Sequence, residues 1–263
     1  MDITLVRHNL DAPAPLPIEH VRESYERIYR GGGLVGSPGL YRWIIRILNP
    51  APGLRLLDVA CGEGGLIREA VRRGVNGYGL DLACAAIEKA QQNAPGGRFV
   101  IGDAQALPFH SEQFDYVTCL GSLENMPDPW TGLSEIRRVT KRQGTIGVMV
   151  PNAFWLGDVL SALWRGMDDR PFQAVERRAS RRAWRHFLLA GGLVVERELR
   201  YNRPAVLLRR GKVKSVRKFL KDGLRNLATP FNLSLEFVYL CRKAAPSDAR
   251  EYWLWRAERA PSP

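Results

Sequence analysis

Asp58, Asp81 and Asp103 each stand at the end of an apolar run, and the turn Ala60-Cys61-Gly62-Glu63-Gly64-Gly65 follows the first of them. Residues of these types suit the holding of a nucleotide-like ligand. Glycines let a turn take φ > 0 and bring its backbone N–H groups close to a ligand. A carboxylate at the end of the second run can accept two neighbouring hydroxyls in charge-assisted hydrogen bonds. A dinucleotide fingerprint, G-x-G-x-x-G, would begin at Gly62 and need glycine at position 67, where Ile67 stands. The third glycine serves close helix–strand packing, so the dinucleotide reading is weakened.

The elements that must position these residues alternate regularly. Strand-like runs cover Arg55–Cys61, Gly77–Leu82, Arg98–Gly102, Phe114–Leu120 and Thr145–Val150. Helical patterns between them cover Leu66–Arg73, Ala85–Asn93 and Trp130–Thr140. This alternation predicts βαβ units and a parallel sheet with helices on both faces. Helix Ser180–Ala190, strand Leu193–Tyr201 and a final strand over Phe231–Ala244 continue it. Ahead of the sheet, Ile18, Val21, Tyr25, Ile28 and Tyr29 recur at helical spacing, and Leu40–Leu48 reads as a second helix.

At 263 residues the chain can hold one large α/β domain with embellishments. No apolar run approaches the ~18–20 residues that span a membrane, and the amino terminus has no secretory pattern. Cys61, Cys84, Cys119 and Cys241 form no zinc or redox pair, so no metal is expected and the four read as buried free thiols in a reducing compartment. The net charge of +12 is unevenly placed. Residues 1–151 hold 16 basic and 16 acidic residues, leaving 23 basic and 11 acidic in the remainder. The whole surplus therefore sits in the C-terminal part, where 152–179 and 202–230 interrupt the alternation.

"LLDVACGEGGL" resembles the first motif of class I S-adenosylmethionine-dependent methyltransferases, (D/E)-x-G-x-G-x-G. Ala60 replaces the first glycine, Gly62 and Gly64 are kept, and Leu66 takes the third place. The later strand ends extend the resemblance over 54–151. It implies S-adenosyl-L-methionine as cofactor, with Asp58, Ala60, Cys61, Gly62 and Gly64 at the first turn and Asp81 on the ribose. Leu82 would lie on the adenine face, Asp103 and Ala104 on the adenine edge, and Leu120, Gly121 and Ser122 on the methionine side. "SYERIY" resembles the lid helix of small-molecule members, in which a tyrosine, here Tyr25, closes over the cofactor; core packing is the equal alternative.

The implied fold is a Rossmann-like three-layer sandwich, with a seven-stranded, mostly parallel sheet whose last strand is antiparallel, an N-terminal helical lid and C-terminal insertions. The expected organisation is an arm and lid over 1–50, the methyltransferase domain over 51–244 with insertions at 152–179 and 202–230, and a tail over 245–263.

Methyl transfer is a direct displacement whose main demand is alignment in a dry site. A base matters only where the acceptor must lose a proton. Relatives carry histidine in an L-E-H-x-x-D version of the fourth motif, but "LENMPD" has Asn125 there, so the catalytic residue stays unassigned. His8, His20, His110 and His186 read as solvated, and Cys119 reads as a core thiol. No (D/N)-P-P-(Y/F/W) follows the fourth strand, which argues against amino-group transfer to DNA bases.

The expected acceptor is a small molecule, lipophilic or anionic. Arg177, Arg178, Arg181, Arg182 and Arg185 read as one helical stripe, and Arg209–Arg225, with eight basic residues and one acid, as a basic amphipathic helix. Either is a solvated face or a contact with an anionic membrane surface, an anionic substrate or, third among these partners, RNA. The expected location is cytoplasmic, with a membrane-peripheral form where the basic helix docks. The alternative function is a non-catalytic cofactor-binding or RNA-binding protein on the same fold.

Overall fold

The architecture is that of a computed structural model, which describes residues 16–34, 36–165, 175–202, 208–209, 212–213, 229–245 and 248. Two helices come first, α1 (Ile18–Arg30) and α2 (Pro38–Leu48). The alternating part follows as β1 (Arg55–Val59), α3 (Gly65–Val71), β2 (Asn76–Asp81), α4 (Cys84–Asn93), β3 (Arg98–Ile101), β4 (Phe114–Leu120), α5 (Pro129–Val139) and β5 (Thr140–Pro151). After it come α6 (Leu156–Arg165), α7 (Arg181–Ala190), β6 (Leu193–Tyr201), a two-stranded ribbon of β7 (Leu208–Arg209) with β8 (Lys212–Val213), and β9 (Glu236–Lys243).

The seven long strands form one sheet in the order β3-β2-β1-β4-β5-β9-β6. β9 runs antiparallel to both β5 and β6, and the other neighbours are parallel. The expected seven-stranded mixed sheet is thus present. The chain moves outward from β1 to β3 and then crosses to β4 on the other side of β1. That reversal opens a crevice at the carboxyl ends of β1 and β4, where open sheets bind ligands.

Alternation along the strands fills two cores, because successive strand side chains face opposite ways. Leu57, Val59, Val117 and Cys119 meet Leu133 and Ile136 of α5 and Trp184 and Leu188 of α7 on one face. Leu56 and Leu240 meet Ile44, Ile45, Leu66 and Ile67 of α2 and α3 on the other. Side-chain caps start several helices: Ser37 accepts from the Leu40 N–H (3.1 Å), Asp128 from the Trp130 N–H (3.0 Å) and Ser180 from the Ala183 N–H (3.2 Å).

Several expectations change. The final strand starts at Glu236, because Phe231–Leu233 forms a 3-10 turn. β5 begins at Thr140, earlier than the apolar run suggests. Cys84 is exposed, whereas the other three thiols are buried. The five arginines do not form one helical stripe, since Arg177 and Arg178 precede α7. Nor are they a free cationic face. Arg178 pairs with Glu176 (2.6 Å) and Asp158 (2.7 Å), Arg185 and Arg181 pair with Glu198 (2.8 and 3.6 Å), and Arg177 is buried. A helix beginning at Arg209 is replaced at its start by the β7–β8 ribbon, and the rest of that reading lies outside the described residues.

Ile67, the residue that spoils the dinucleotide fingerprint, is fully buried. Room for it is made by two glycines: a Cβ on Gly77 would lie 2.8 Å from Ile67 Cγ2, and one on Gly97 2.7 Å away. Gly77→Ala should therefore destabilise the protein by about 1–3 kcal/mol through overpacking. In an Ile67→Ala background the same substitution should cost under about 0.5 kcal/mol by the usual non-additivity of touching residues. Urea denaturation of the four proteins in the cycle measures this coupling.

Candidate functional site

Three residues in the turn after β1 take positive φ: Ala60 (57°), Gly62 (52°) and Gly64 (74°). This reversal folds the chain back onto β2. The Cys61 N–H donates to the Leu80 carbonyl (2.9 Å), the Gly62 N–H to Asp81 Oδ2 (2.9 Å), and the Gly64 N–H to the Cys61 carbonyl (3.0 Å). The close approach leaves no room for side chains. A Cβ on Gly64 would sit 3.0 Å from the Ala90 Cβ, and one on Gly62 2.8 Å from the Tyr29 hydroxyl. Ala60 is the one non-glycine among the three, and it pays for the left-handed backbone with strain.

Asp81 is 5% exposed, and its other oxygen, Oδ1, accepts from the Ala83 N–H (3.0 Å). Burial raises its pKa, and the N–H groups of Ala83, Gly62 and Leu82 oppose that rise. An ionised carboxylate has about four acceptor sites, so a carboxylate oriented by backbone donors keeps capacity for a ligand's hydroxyls. Asp58 faces the α2–α3 layer and accepts from Thr118 Oγ1 (2.7 Å). Burial pushes it up to about 7, against the Thr118 hydrogen bond and with help from the charge on Asp81.

At the end of β3, Asp103 accepts from the backbone and side-chain N–H groups of Gln105 (2.9 and 3.2 Å). The Ala104 N–H has no partner among the described residues. Past β4, Leu120, Gly121 and Ser122 are partly exposed, and Gly121 takes φ 69°. Asn125 donates to the Gly121 carbonyl (3.1 Å) and closes this turn. Its part here is to shape the loop. His20 and His110 are exposed, His186 lies on α7, and His8 is outside the described residues.

The first two helices cover the crevice. Glu26 accepts from the Cys84 and Ala85 N–H groups at the start of α4, where the helix dipole favours an anion. Lys89 of α4 donates to the Tyr29 carbonyl (2.6 Å) and to Glu63 in the glycine turn (3.0 Å). So fastened, α1 sets the buried Tyr29 against Gly62 and brings Tyr25 within electrostatic reach of Glu124, Asp81 and Glu176. The Tyr41 ring lies against Gly65, where a Cβ would come within 2.2 Å of it, and its hydroxyl accepts from the Gly36 N–H (3.2 Å). Burial raises the Tyr41 pKa to about 12, with Asp58 the largest nearby charge.

The structure therefore gathers the predicted residues at the carboxyl edge of one sheet. It sets Tyr29, the second tyrosine of the lid motif, against the turn and adds Tyr41, Glu63 and Glu124. Tyr41 carries a sequence signal, an aromatic residue in the helical pattern before the sheet. Glu124 was hidden behind its neighbour Asn125, and only burial singles it out.

A glycine turn after β1, an acid fixed at the end of β2 and, after β3, an N–H without a partner among the described residues are groups of the kind that suit a nucleoside-type ligand. The positive φ of Gly62 and Gly64 and the Asp81 carboxylate oriented by backbone N–H groups are features that suit such a group. The family profile described as "Methyltransferase domain" matches residues 57–148. A demethylmenaquinone methyltransferase of Renibacterium salmoninarum is 35% identical over 107 residues, covering 41% of this chain and 45% of that one. A chloroplastic 2-methyl-6-phytyl-1,4-hydroquinone methyltransferase of Oryza sativa is 32% identical over 172 residues, covering 58% and 51%. The chain spans about half the length of these curated relatives. A solved S-adenosylmethionine-dependent methyltransferase of Mesorhizobium loti shares the fold at 16% identity, with a TM-score of 0.58 over 79% of this chain and all of that one.

Residues 57–148 thus match a methyltransferase domain, and the fold around them is that of solved S-adenosylmethionine-dependent methyltransferases. Because Ala60 holds a left-handed backbone, Ala60→Gly should stabilise the protein by about 0.5–1 kcal/mol, the relief of strain outweighing the added freedom of the unfolded chain. The urea midpoint should rise at unchanged slope.

Proposed function

We propose that this protein transfers a methyl group from S-adenosylmethionine to a small, lipophilic, hydroxylated ring acceptor of the quinol type. The observation that carries the reading is the covered cradle: a glycine turn fastened to Asp81, with α1 and α2 closed over it. The printed names of the curated relatives support the acceptor class. On this reading the domain covers 51–244, with 1–50 as arm and lid, insertions at 152–179 and 202–230, and a tail over 245–263.

Within the cradle, Asp81 would hold the ribose hydroxyls, Leu82 the adenine face, and Asp103 with the Ala104 N–H the adenine edge. Asp58, Ala60, Cys61, Gly62 and Gly64 would line the turn side, and Tyr25, Leu120, Gly121 and Ser122 the methionine end. When bound, the cofactor supplies a sulfonium methyl for direct displacement. The chain's own part is to align the acceptor with that methyl and keep water out, which can lower a barrier by several kcal/mol. Two buried carboxyls, Asp58 and Asp81, favour a cationic ligand in this crevice.

The test uses reduced 1,4-naphthohydroquinones with and without a prenyl tail, under anaerobic conditions. S-adenosylhomocysteine should form with time in step with methylated quinol, faster with the tailed acceptor. Asp81→Ala should weaken S-adenosylmethionine binding at least tenfold in calorimetry, since each lost charge-assisted bond is worth ~1.5–3 kcal/mol. Cofactor binding without turnover on any quinol would favour the alternative, a binding protein on the same fold.

An oily acceptor also suggests where the protein works. No helix among the described residues is long and apolar enough to cross a membrane. On α6, which follows β5 at the carboxyl edge of the sheet, Leu163 and Trp164 are 73% and 76% exposed, in the half of the chain that carries the surplus positive charge. Apolar side chains among cations suit the interface of an anionic bilayer. Sedimentation should show binding to anionic but not neutral vesicles, weakened by salt and by joint Leu163→Ser and Trp164→Ser substitution. Indifference of the wild type to anionic vesicles at low salt would leave a freely dissolved acceptor.

A further inference from the structure

Glu124 is a buried carboxyl that the cofactor cradle does not use. The chain leaves β4 at Leu120, turns at Gly121 and enters a 3-10 turn over Leu123–Asn125. The turn points Glu124 inward. Its residue is 5% exposed, its Oε1 lies 3.8 Å from where a Gly121 Cβ would be, and its Oε2 is buried with no hydrogen-bond partner. Native proteins rarely leave a buried carboxyl oxygen unpaired, since the lost solvation goes uncompensated.

Among the described residues no basic side chain hydrogen-bonds or ion-pairs with its carboxyl. Arg177 is fully buried beside it, but its Nη1 donates to the Glu124 and Met126 carbonyls (3.3 and 2.5 Å) and its Nη2 to the Pro127 carbonyl (2.9 Å). The Arg177 N–H also donates to the Glu124 carbonyl (3.1 Å). These bonds fix the backbone of the turn, and with it the direction of the side chain. Arg178 is held by Glu176 and Asp158. The groups facing Glu124 are Tyr25 from α1, Cys119 from β4, Glu176 and Arg178 from the segment before α7, and Glu236 from the start of β9. Burial raises the proton affinity of Glu124 most, Glu236 and Glu176 add to it, and its own backbone N–H and Arg178 oppose it.

We infer that Glu124 binds the ring hydroxyl of the acceptor through Oε2 and takes its proton, under the Tyr25 lid. The inference rests on the methyltransferase reading above for its reaction, though not for its binding site. In the step, the acceptor O–H bond breaks, its proton passes to Glu124 and its electron pair enters the ring. The ring oxygen, or the carbon beside it, forms the new bond to the methyl carbon as the carbon–sulfur bond breaks and its pair stays on sulfur. Where carbon is the nucleophile, its hydrogen then leaves as a proton and Glu124 returns its own proton to the oxygen. A carboxyl oxygen, Oε2, without a partner among the described residues, a loop fixed by Arg177 and a raised proton affinity all suit this task.

The experiment compares wild type with Glu124→Gln, which keeps the shape and removes the base. Glu124→Met serves as a second variant should the amide fail to fold. Calorimetry with S-adenosylhomocysteine and 1,4-naphthohydroquinone under nitrogen reads binding without turnover. Hydroquinone affinity should fall about tenfold while S-adenosylhomocysteine affinity stays within twofold. Turnover should fall at least 100-fold, and the acidic limb of the wild-type pH–rate profile should disappear. Equal hydroquinone affinity in wild type and variant, or a wild type that binds S-adenosylhomocysteine but not hydroquinone, overturns the inference. Unchanged turnover in the variant does so as well. A tenfold binding difference in a wild type that transfers no methyl supports the hydroxyl site, and faults the transfer reading instead.

Discussion

The carboxylate of Asp81 joins parts of the chain that lie far apart in sequence. The Gly62 N–H reaches it from the turn after β1, and the Ala83 N–H from the start of α4. Beside it, the Cys61 N–H donates to the Leu80 carbonyl. A buried carboxylate is expensive to take out of water, and these donors are what offset the cost. Once they are placed, the turn has one course, and that course demands positive φ at Ala60, Gly62 and Gly64. Asp58 lies behind this corner, tied to Thr118 across the β1–β4 pair. The crevice thus begins with two acids held in place before any ligand arrives.

The cover over the crevice is fastened by electrostatics as well as by packing. Glu26 caps the start of α4 with its carboxylate, and Lys89, one turn further along α4, binds both the Tyr29 carbonyl and Glu63. Three elements, α1, the glycine turn and α4, are linked through those two side chains. That linkage sets the tyrosines of α1 over the turn and toward Glu124. On the opposite side of the crevice, Arg177 spends its guanidinium on carbonyl oxygens of the loop after β4. A buried cation used in this way shapes a loop and adds no positive charge to the surface.

The cradle was legible because its requirements are local. A glycine turn between an apolar strand and a helix, and an acid at each following strand end, are read from residue types and spacing alone. Ile67 marks the limit of that reading. Its bulk excludes a dinucleotide fingerprint, yet nothing near it in sequence reveals that Gly77 and Gly97 open the space it fills. The arginines before and within α7 show the same limit from the side of charge. Spacing put all five on one stripe, but a helix start at Arg181, capped by Ser180, excludes Arg177 and Arg178. Their partners, Glu198 on β6, Glu176, Asp158 and the loop carbonyls, are found only after folding.

By itself the sequence determined the sheet of alternating strands and helices, the glycine turn with acids at the following strand ends, and the confinement of surplus charge to the C-terminal part. Each follows from short-range periodicity, turn chemistry or counting. Tertiary structure alone decided which acid would be left without a partner. Glu124 and Asn125 are adjacent in the chain, and the motif resemblance draws attention to Asn125. Folding buries both, gives the Asn125 amide N–H the Gly121 carbonyl as partner, and sets Glu124 among Tyr25, Cys119, Glu176 and Glu236 with Oε2 unpartnered among the described residues. The reason is physical: whether a carboxyl is solvated, paired or bare depends on what distant segments bring to it.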